Sequence, residues 1–309
     1  MKYSVIGSGF SGLSTAAYLA KQGHEVDVFE KNNTLGGRAR QFQAKGYTFD
    51  MGPSWYWMPD VFEKFFKDFD AKPEDFYDLI ELNPGFQIIF PDSHTLKLSS
   101  KWEEVHALFE KYEPGASKKL DAFIKEAEFK YSIGMNEVVY EPGLSILELC
   151  KPVLIKNVFK LQMLSSYRKH VGKYFKNPFL VALLEFPVLF LGTAPEKTPA
   201  LYSLMTYSGI KQGTFYPIGG FSKVIDGMVE VCRKQGVKFR VNTEIKHIKV
   251  EKKKAVAIET NQGSFEVETL ICSADYHHID KEVLAPEFSN YSEKYWDSRV
   301  LSPSCLLFY

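Results

Sequence analysis

The sequence has few cysteines and no excess of charge of either sign. Lys plus Arg equal Asp plus Glu at 38 each in 309 residues, so the protein has no overall attraction to nucleic acid, and no nucleic-acid partner is expected. The cysteines are four: Cys150, Cys232, Cys272 and Cys305. Their spacing matches no zinc or redox-pair motif, so we expect reduced, mostly buried thiols in a cytoplasmic protein.

Long apolar runs are also missing. No stretch reaches the roughly eighteen uninterrupted apolar residues that cross a bilayer. The first apolar run has no basic region before it and breaks at Gly7 and Gly9, so we expect no signal peptide. The histidines have no ligand spacing beyond the adjacent pair His277 and His278, and no Ser, His and Asp set is recognisable. We therefore predict no metal site and name no catalytic residue.

What the sequence does contain, at its start, is a strand, a glycine-rich turn, a helix and a second strand. Residues 2–6 read as the first strand, the apolar spacing after residue 12 as the helix, and residues 25–30 as the second strand. The turn between strand and helix consists of Gly7, Ser8, Gly9, Phe10, Ser11 and Gly12. This arrangement predicts a βαβ unit that binds a dinucleotide, whereas an isolated glycine triplet would indicate only a turn.

Each glycine of the turn has its own predicted role. Gly7 permits the tight turn, Gly9 lets the backbone approach a pyrophosphate, and Gly12 lets the helix pack close to the strand. The phosphates would lie against the amino end of the helix. Glu30, at the end of the second strand, is placed to accept hydrogen bonds from both ribose hydroxyls and would repel a 2′-phosphate, which disfavours NADP.

The residues after this acid favour FAD over NAD. Leu35-Gly36-Gly37-Arg38 resembles the second fingerprint of the flavin family that includes amine oxidases and carotenoid desaturases, and in that family the arginine faces the pyrophosphate. The segment from Phe49 to Ser54 resembles the one that passes the flavin ring. The cofactor-binding residues that follow from the turn and the resemblance are Gly7, Ser8, Gly9, Phe10, Ser11, Gly12, Glu30, Lys31, Gly36, Gly37, Arg38, Gly52, Pro53, Ser54 and Ile245.

The rest of the chain indicates an α/β protein whose flavin domain is split in sequence. Residues 1–75 and 215–280 are predicted to form an FAD/NAD(P)-binding Rossmann-like domain of the glutathione-reductase type. Residues 76–214 and 281–309 are predicted to form an inserted α+β domain for substrate and membrane. Its features are a hairpin over 85–98 and two amphipathic helices, whose apolar stripes are read as core, with a substrate tunnel wall as the alternative.

One segment of the predicted insertion suggests contact with a membrane. Residues 151–176 hold seven Lys and Arg and no Asp or Glu, and residues 179–191 are apolar except for Glu185. A basic amphipathic stretch beside an apolar stretch too short to span predicts a monotopic membrane contact through about 151–191. The alternative is a buried pair of helices with a solvated basic face.

Across its whole length the sequence is similar to bacterial phytoene desaturases. The resemblance implies an FAD-dependent carotenoid desaturase at the inner face of the cell membrane. Such an enzyme removes a hydride, to flavin N5, and a proton from a long apolar carotenoid precursor, with quinone or oxygen as the electron acceptor. Residues 305–309 read as a strand, and the resemblance implies that a further strand, a glycine-rich turn and a helix that close over the flavin follow it.

Three alternatives remain open at this point. An amine oxidase of the same superfamily would need polar or aromatic substrate contacts. A carotenoid ketolase, a carotenoid isomerase or a retinoid saturase would share every motif above. A non-catalytic isoprenoid-lipid carrier, or an inactive fragment, would keep the fold without the chemistry.

Overall fold

The computed structural model describes residues 1–300 and residue 308. The strands in this part of the chain are β1 (Lys2–Ile6), β2 (Glu25–Phe29), β3 (Gln41–Ala44), β4 (Tyr47–Asp50), β5 (Leu79–Glu81), β6 (Phe86–Ile89), β7 (Thr95–Leu98), β8 (Phe215–Pro217), β9 (Lys238–Arg240), β10 (Ile245–Glu251), β11 (Lys254–Thr260), β12 (Gly263–Glu266) and β13 (Thr269–Cys272).

The α-helices are α1 (Phe10–Lys21), α2 (Pro59–Lys67), α3 (Trp102–Tyr112), α4 (Ala116–Glu137), α5 (Pro152–Leu161), α6 (Tyr167–Tyr174), α7 (Pro178–Glu185), α8 (Ser203–Thr206), α9 (Phe221–Lys234), α10 (Tyr276–His278) and α11 (Glu293–Asp297). Short 3-10 helices cover Gly37–Ala39, Pro73–Asp75, Ile146–Cys150, Phe186–Leu191, Ala200–Tyr202 and Pro286–Phe288, and π-helices cover Tyr207–Gln212 and Ile279–Val283. Among the described residues, no helix is both long enough and apolar enough to span a bilayer.

A four-stranded parallel sheet forms the first layer, in the order β13-β1-β2-β9. Two helices, α1 and α9, share its core, in which Leu13, Ala16 and Val224 are fully buried. The strands come from both ends of the chain, because β9 and β13 follow some 200 residues after β2. The predicted Rossmann-like α/β class is therefore confirmed.

The segment between β5 and β8 contains a second hydrophobic core. The predicted hairpin is present as β6 and β7, paired from Phe86 with Leu98 to Ile89 with Thr95. Helices α3, α4, α6 and α7 pack around it and bury Val105, Phe109 and Phe123. Val105, Phe109 and Phe123 lie on the apolar faces of the two predicted amphipathic helices, and these residues belong to the core. Strand β5 pairs with β8, which joins the two ends of the segment.

A third cluster lies beside the parallel sheet. The antiparallel sheet β10-β11-β12 packs Ile245 and Ile258 against Ile6 and Phe29 at the ends of β1 and β2. Ile279 and Val283 belong to the same cluster. Val283, which lies in the second stretch predicted for the substrate domain, thus packs beside the parallel sheet. The division into two domains stays a prediction.

One sequence expectation about burial is wrong. Of the cysteines in the described part, Cys232 is buried but Cys150 and Cys272 are exposed. The apolar stretch 179–191, which was predicted to contribute to a membrane contact, is mostly interior: Leu180, Leu183 and Val188 have no exposed surface, whereas Leu189 and Phe190 are exposed. Its side chains fill the second core. The strand predicted over 305–309 lies outside the described residues, apart from Phe308, which is exposed and belongs to no strand.

Candidate cofactor site

The turn between β1 and α1 has the geometry that the three glycines were predicted to allow. Gly7 adopts a φ of +94°, and its N–H donates to Phe29 O at 2.8 Å. A Cβ on Gly12 would lie 2.0 Å from Gly7 O, so only glycine lets the helix sit so close to the turn. A Cβ on Gly9, in contrast, would have no protein atom within 4 Å. The middle glycine therefore faces open space.

The amino end of α1 lies at this open space. The residue that caps α1 is Gly9, and it offers no side chain to the N–H groups of the first turn. The first turn also carries no acidic residue. These free N–H groups and the positive end of the helix dipole favour an anion such as a pyrophosphate.

Glu30 is buried at the wall of the same cleft, at the end of β2. One carboxylate oxygen accepts from Ser8 N at 3.1 Å and from Ser8 Oγ at 2.6 Å. The other accepts from Asn32 N at 2.9 Å and from Asn32 Nδ2 at 2.6 Å. Two of these four donors are rotatable side-chain groups. Ribose hydroxyls can replace them while the backbone donors keep the carboxylate in position.

The cleft has a volume of about 600 Å³, which is in the range of ligand pockets. The predicted residues that line it are Gly7, Ser8, Gly9, Phe10, Ser11, Glu30, Lys31, Gly37, Arg38 and Ile245. Five other predicted residues, Gly12, Gly36, Gly52, Pro53 and Ser54, do not line the cleft.

Three of those five shape the walls from behind. Gly12 packs on Gly7, as described above. A Cβ on Gly36 would lie 3.1 Å from the Ile225 side chain, and one on Gly52 would lie 2.2 Å from Arg38 O. These glycines bring the backbone of the second fingerprint close to helix α9 and to the loop after β4. Pro53 and Ser54 are exposed.

Other residues of the cleft were missed by the sequence analysis. They are Asn32, Arg40, Thr243, Glu244, Ser273, Ala274, Asp275, His278, Ile279 and Val283, together with the apolar Ile6 and Phe29. Most come from segments that follow β9 and β13. Ligands of open α/β sheets bind at the carboxyl ends of the strands, so that rule would have found them once the strand order was known.

Two arginines and Lys31 bring positive charge to the cleft. Arg38 is exposed, Arg40 is half-buried, and both line the cleft. Within the described part of the chain, neither guanidinium forms an ion pair with a carboxylate within 4.0 Å. Their charge is therefore available to an anionic ligand.

The cleft fits FAD on two further observations. The hydroxyl oxygen of Ser273, in the cleft wall, is buried and has no hydrogen-bond partner among the described residues. A bound polar ligand would supply that partner. The open space in front of Gly9 also lies beside the free amino end of α1, where a pyrophosphate would be stabilised.

Asp50 ties the segment before Gly52 to the entry of α9. Its carboxylate accepts from Gln41 Nε2 at 2.8 Å, from Tyr216 O–H at 3.1 Å and from Phe221 N at 3.2 Å. The last of these bonds satisfies a free N–H at the amino end of α9. The segment predicted to pass the flavin ring is thus anchored to β8 and to the start of α9.

Comparison with known proteins agrees with this geometry. The family described as flavin containing amine oxidoreductase matches residues 10–298. The carotenoid 3,4-desaturase of Haloarcula japonica is 37% identical over 99% of this chain, and the 4,4′-diapophytoene desaturase of Staphylococcus haemolyticus is 28% identical over 100% of it. The chain spans 62% of the length of each of these two relatives. The predicted flavin cofactor, FAD, is confirmed at the level of the family.

Solved structures share the fold at low identity. A protein of Pyrococcus furiosus superposes with a TM-score of 0.62 at 18% identity, covering 97% of this chain and 66% of that one. Rab GDI from Plasmodium falciparum superposes with a TM-score of 0.58 at 14% identity, covering 90% of this chain and 66% of that one. At such identity the likeness shows the fold alone.

Proposed function

The chain belongs to the flavin containing amine oxidoreductase family, and on this premise we propose that it acts as an FAD-dependent carotenoid desaturase. The observation that carries the proposal is the cleft at the amino end of α1. It combines free N–H groups, the buried Glu30, and Arg38 and Arg40, which form no ion pair with any carboxylate of the described residues. The desaturase names of the relatives, which match nearly the whole chain, supply the substrate class.

The residues of the chain have distinct roles in this proposal. The first-turn N–H groups of α1, with Arg38 and Arg40, hold the pyrophosphate, and Glu30 holds the ribose of the adenosine half. Gly52, Pro53 and Ser54 pass the flavin ring, and Ile245 contacts the adenine. FAD, when bound, would supply the redox chemistry of this proposal, the removal of a hydride from one substrate carbon; with a proton lost from the adjacent carbon, a new carbon–carbon double bond would result. Quinone or oxygen remains the proposed electron acceptor.

Product analysis tests the proposed activity. In a host that accumulates acyclic carotenoids, expression of the protein is expected to yield carotenoids with more conjugated double bonds, separated by chromatography and recognised by absorption at longer wavelength. The Gly9→Ala variant is the matched control, because its new methyl group faces the cleft and touches no protein atom. An unchanged pool of every supplied carotenoid, with flavin bound to the protein, would refute the desaturase proposal.

We also propose that the protein binds a membrane surface, through residues near the predicted 151–191 segment. The exposed apolar residues lie mainly before and within the first part of that segment. We call them the 144–164 surface, and they are Leu144, Ile146, Leu147, Ile155, Val158, Phe159, Met163 and Leu164. The inner face of cell membranes, on the cytoplasmic side, is the proposed location.

Helix α5 supports this proposal because it is apolar on two sides. Leu154 and Leu161, seven positions apart, are buried against the protein. Ile155, Val158 and Phe159 point outward at the spacing of a second helical face, and Phe159 is 91% exposed. Contiguous exposed apolar side chains of this kind mark an interaction surface.

The positive charge of the segment is smaller than the sequence indicated. Lys151 pairs with Glu141 at 2.6 Å, and Arg168 pairs with Glu185 at 2.6 Å and with Glu196 at 2.7 Å. Lys156 and Lys160 are exposed on α5 beside the apolar face. These two lysines are the ones we expect to meet anionic headgroups.

Liposome sedimentation tests the membrane proposal. The protein is expected to sediment with anionic vesicles, and a variant with Phe159→Ser and Leu164→Ser is expected to stay in the supernatant. Ile89→Ser, which changes an exposed apolar residue outside the 144–164 surface, is the control. Equal recovery of the wild type and the double variant with anionic vesicles would contradict the proposal, as would no recovery of either.

A further inference from the structure

Directly after Gly52, Pro53 and Ser54, the chain places alternating aromatic side chains in two different cores. The ring of Tyr56 is fully buried in the core that α1 and α9 share with the parallel sheet, and its hydroxyl oxygen lies 3.0 Å from that of Tyr77. Trp55, next to it in the chain, packs against the other core. An extended backbone alternates its side chains in this way, and Tyr56 also forms a backbone bridge with Phe215. Residues 55–57 therefore connect the two cores.

Trp55 and Trp57 form a paired aromatic surface on one side of residues 55–57. Their rings lie 5.8 Å apart with an interplanar angle of 18°. Phe190 completes the group, with its ring 5.8 Å from that of Trp55 and 5.3 Å from that of Trp57, edge-on to both. Behind Trp55 lie Phe86 and Phe186, at 6.0 Å and 5.8 Å. We call Trp55, Trp57 and Phe190 the aromatic platform.

Trp57 is held in one orientation by contacts on two sides. Its indole N–H donates to Thr214 Oγ1 at 2.8 Å. A Cβ on Gly209 would lie 2.9 Å from the indole ring, so the π-helix over Tyr207–Gln212 approaches the ring as closely as a glycine allows. A π-helical turn is rare and occurs often at functional sites. The indole is thus fixed before any ligand arrives.

The platform is open on its outer side. Phe190 is 57% exposed and Leu189 is 52% exposed, although Val188 and Leu184 beside them are fully buried. Trp55 and Trp57 are only partly buried. Exposed apolar side chains that lie next to one another in this way mark a candidate interaction surface.

We propose that the aromatic platform binds the unsaturated chain of the substrate and guides it to the flavin, an inference that rests on the proposed desaturase function. The position of the platform supports it. Trp55 follows Gly52 by three residues, which span at most about 11 Å, and Gly52 packs on the backbone of Arg38 in the cofactor cleft. A polyene has a flat π-system without hydrogen-bonding groups, so dispersion and stacking on aromatic rings are the contacts available to it.

Tryptophan fluorescence of the flavin-loaded protein tests binding directly. The chain has four tryptophans, and Trp55 and Trp57 are two of them. A detergent-dispersed carotenoid polyene is expected to quench the emission in a saturable way. The double variant Trp55→Phe and Trp57→Phe keeps an aromatic ring at both positions but lacks the two indoles, so we expect the saturable quenching to be lost. The Trp102→Phe variant is expected to retain it. Quenching that is not saturable, or that persists undiminished without Trp55 and Trp57, would overturn the inference.

Phe190 supplies the second arm of the experiment. Phe190→Leu keeps an apolar side chain and removes the ring, so polyene binding is expected to weaken by about threefold to tenfold, the range for a lost aromatic contact. A saturated hydrocarbon of equal length is expected to displace the polyene poorly. The control is Tyr291→Leu, whose ring packs on Tyr276 and Tyr295 outside the platform. Bound flavin and the thermal midpoint, measured for every variant, report correct folding. Equal affinity of Phe190→Leu and the wild type would contradict the inference.

Failure of this inference differs from failure of the proposed function. If carotenoids are desaturated while the platform variants leave both KM and quenching unchanged, the substrate binds elsewhere and only the inference is wrong. If polyenes quench Trp55 and Trp57 saturably but no supplied carotenoid is oxidised, the platform stands as a binding site and the desaturase activity is wrong.

Discussion

At the residue scale, substitutions at Gly9 and Gly12 are expected to affect different properties: cofactor binding at Gly9 and folding stability at Gly12. Gly9→Ala adds a methyl group that meets no protein atom, so the free energy of unfolding without FAD is expected to stay within about 0.5 kcal/mol of the wild type. FAD affinity is expected to fall at least tenfold, because the methyl group occupies the space of the pyrophosphate. Urea unfolding and FAD titration measure the two effects.

The Gly12→Ala variant is expected to behave in the opposite way. Its methyl group would lie 2.0 Å from Gly7 O, so the helix must move, at a cost of about 2–4 kcal/mol of unfolding free energy even without FAD. Gly172→Ala in α6, where nothing lies within 4 Å, is the matched control and is expected to be neutral or slightly stabilising. Equal stabilities of Gly12→Ala and Gly172→Ala would refute the predicted close packing.

His170 makes the stability of the second core depend on pH. Burial, followed by the positive charge of Lys130, lowers the pKa of His170 to about 4 from its ordinary 6.5, although Glu126 opposes this. Lys173 also contributes to lowering it. Below pH 6.5 the unfolded chain binds a proton that the folded chain does not bind, so stability falls as the pH drops from about 6.5 towards 4.

The His170→Phe variant tests this linkage. Between about pH 7 and about pH 4.5 the wild type is expected to lose about 2 kcal/mol of unfolding free energy through His170. The variant keeps the stacked ring on Phe123 and is expected to lose correspondingly less. His277→Gln at the exposed α10 is the control. Parallel stability curves for wild type and His170→Phe over this range would show that His170 is not the cause.

The residues of the opening turn could be predicted from sequence because each has a local requirement. Gly7 needs a positive φ and Gly12 a close approach, and both follow from the strand-turn-helix order alone. Arg40 and Ser273 could not be predicted in the same way. Ser273 reaches the cleft only because β13 pairs with β1 across more than 260 residues of sequence.

At the scale of elements, Asp50 connects strand β4 to helix α9. Asp50→Ala removes the acceptor for Gln41, Tyr216 and the Phe221 N–H, and we expect a loss of about 1–3 kcal/mol of unfolding free energy. Asp92→Ala, which removes a single acceptor in an exposed turn, is the control and is expected to cost less than about 1 kcal/mol. Chemical denaturation measures both variants, and equal losses would argue against the anchoring role.

The helices and strands themselves were largely predictable, but their surroundings were not. The hairpin over 85–98 and the helices α3 and α4 follow from their apolar periodicity. The burial of most of the apolar stretch 179–191 could not be predicted, because an apolar run carries no information about its partner. Here the partner is the core built from β6, β7, α3 and α6.

At the scale of the whole molecule, a parallel sheet is assembled from both ends of the described chain, and a helical segment is inserted between them. The α/β alternation at the two ends made the sheet predictable. The position of the inserted segment relative to the sheet could not be predicted. It depends on the pairing of β5 with β8 and on residues 55–57, whose aromatic side chains pack into both cores.

The central claim is that an adenosine diphosphate group binds against the amino end of α1 with its ribose at Glu30. Competition between ADP and FAD for the flavin-free protein tests it most directly. We expect ADP to displace FAD competitively, and Glu30→Ala to weaken the binding of both ligands by a similar factor while FMN does not compete. FAD binding that ADP leaves unchanged, or that Glu30→Ala does not weaken, would contradict the account.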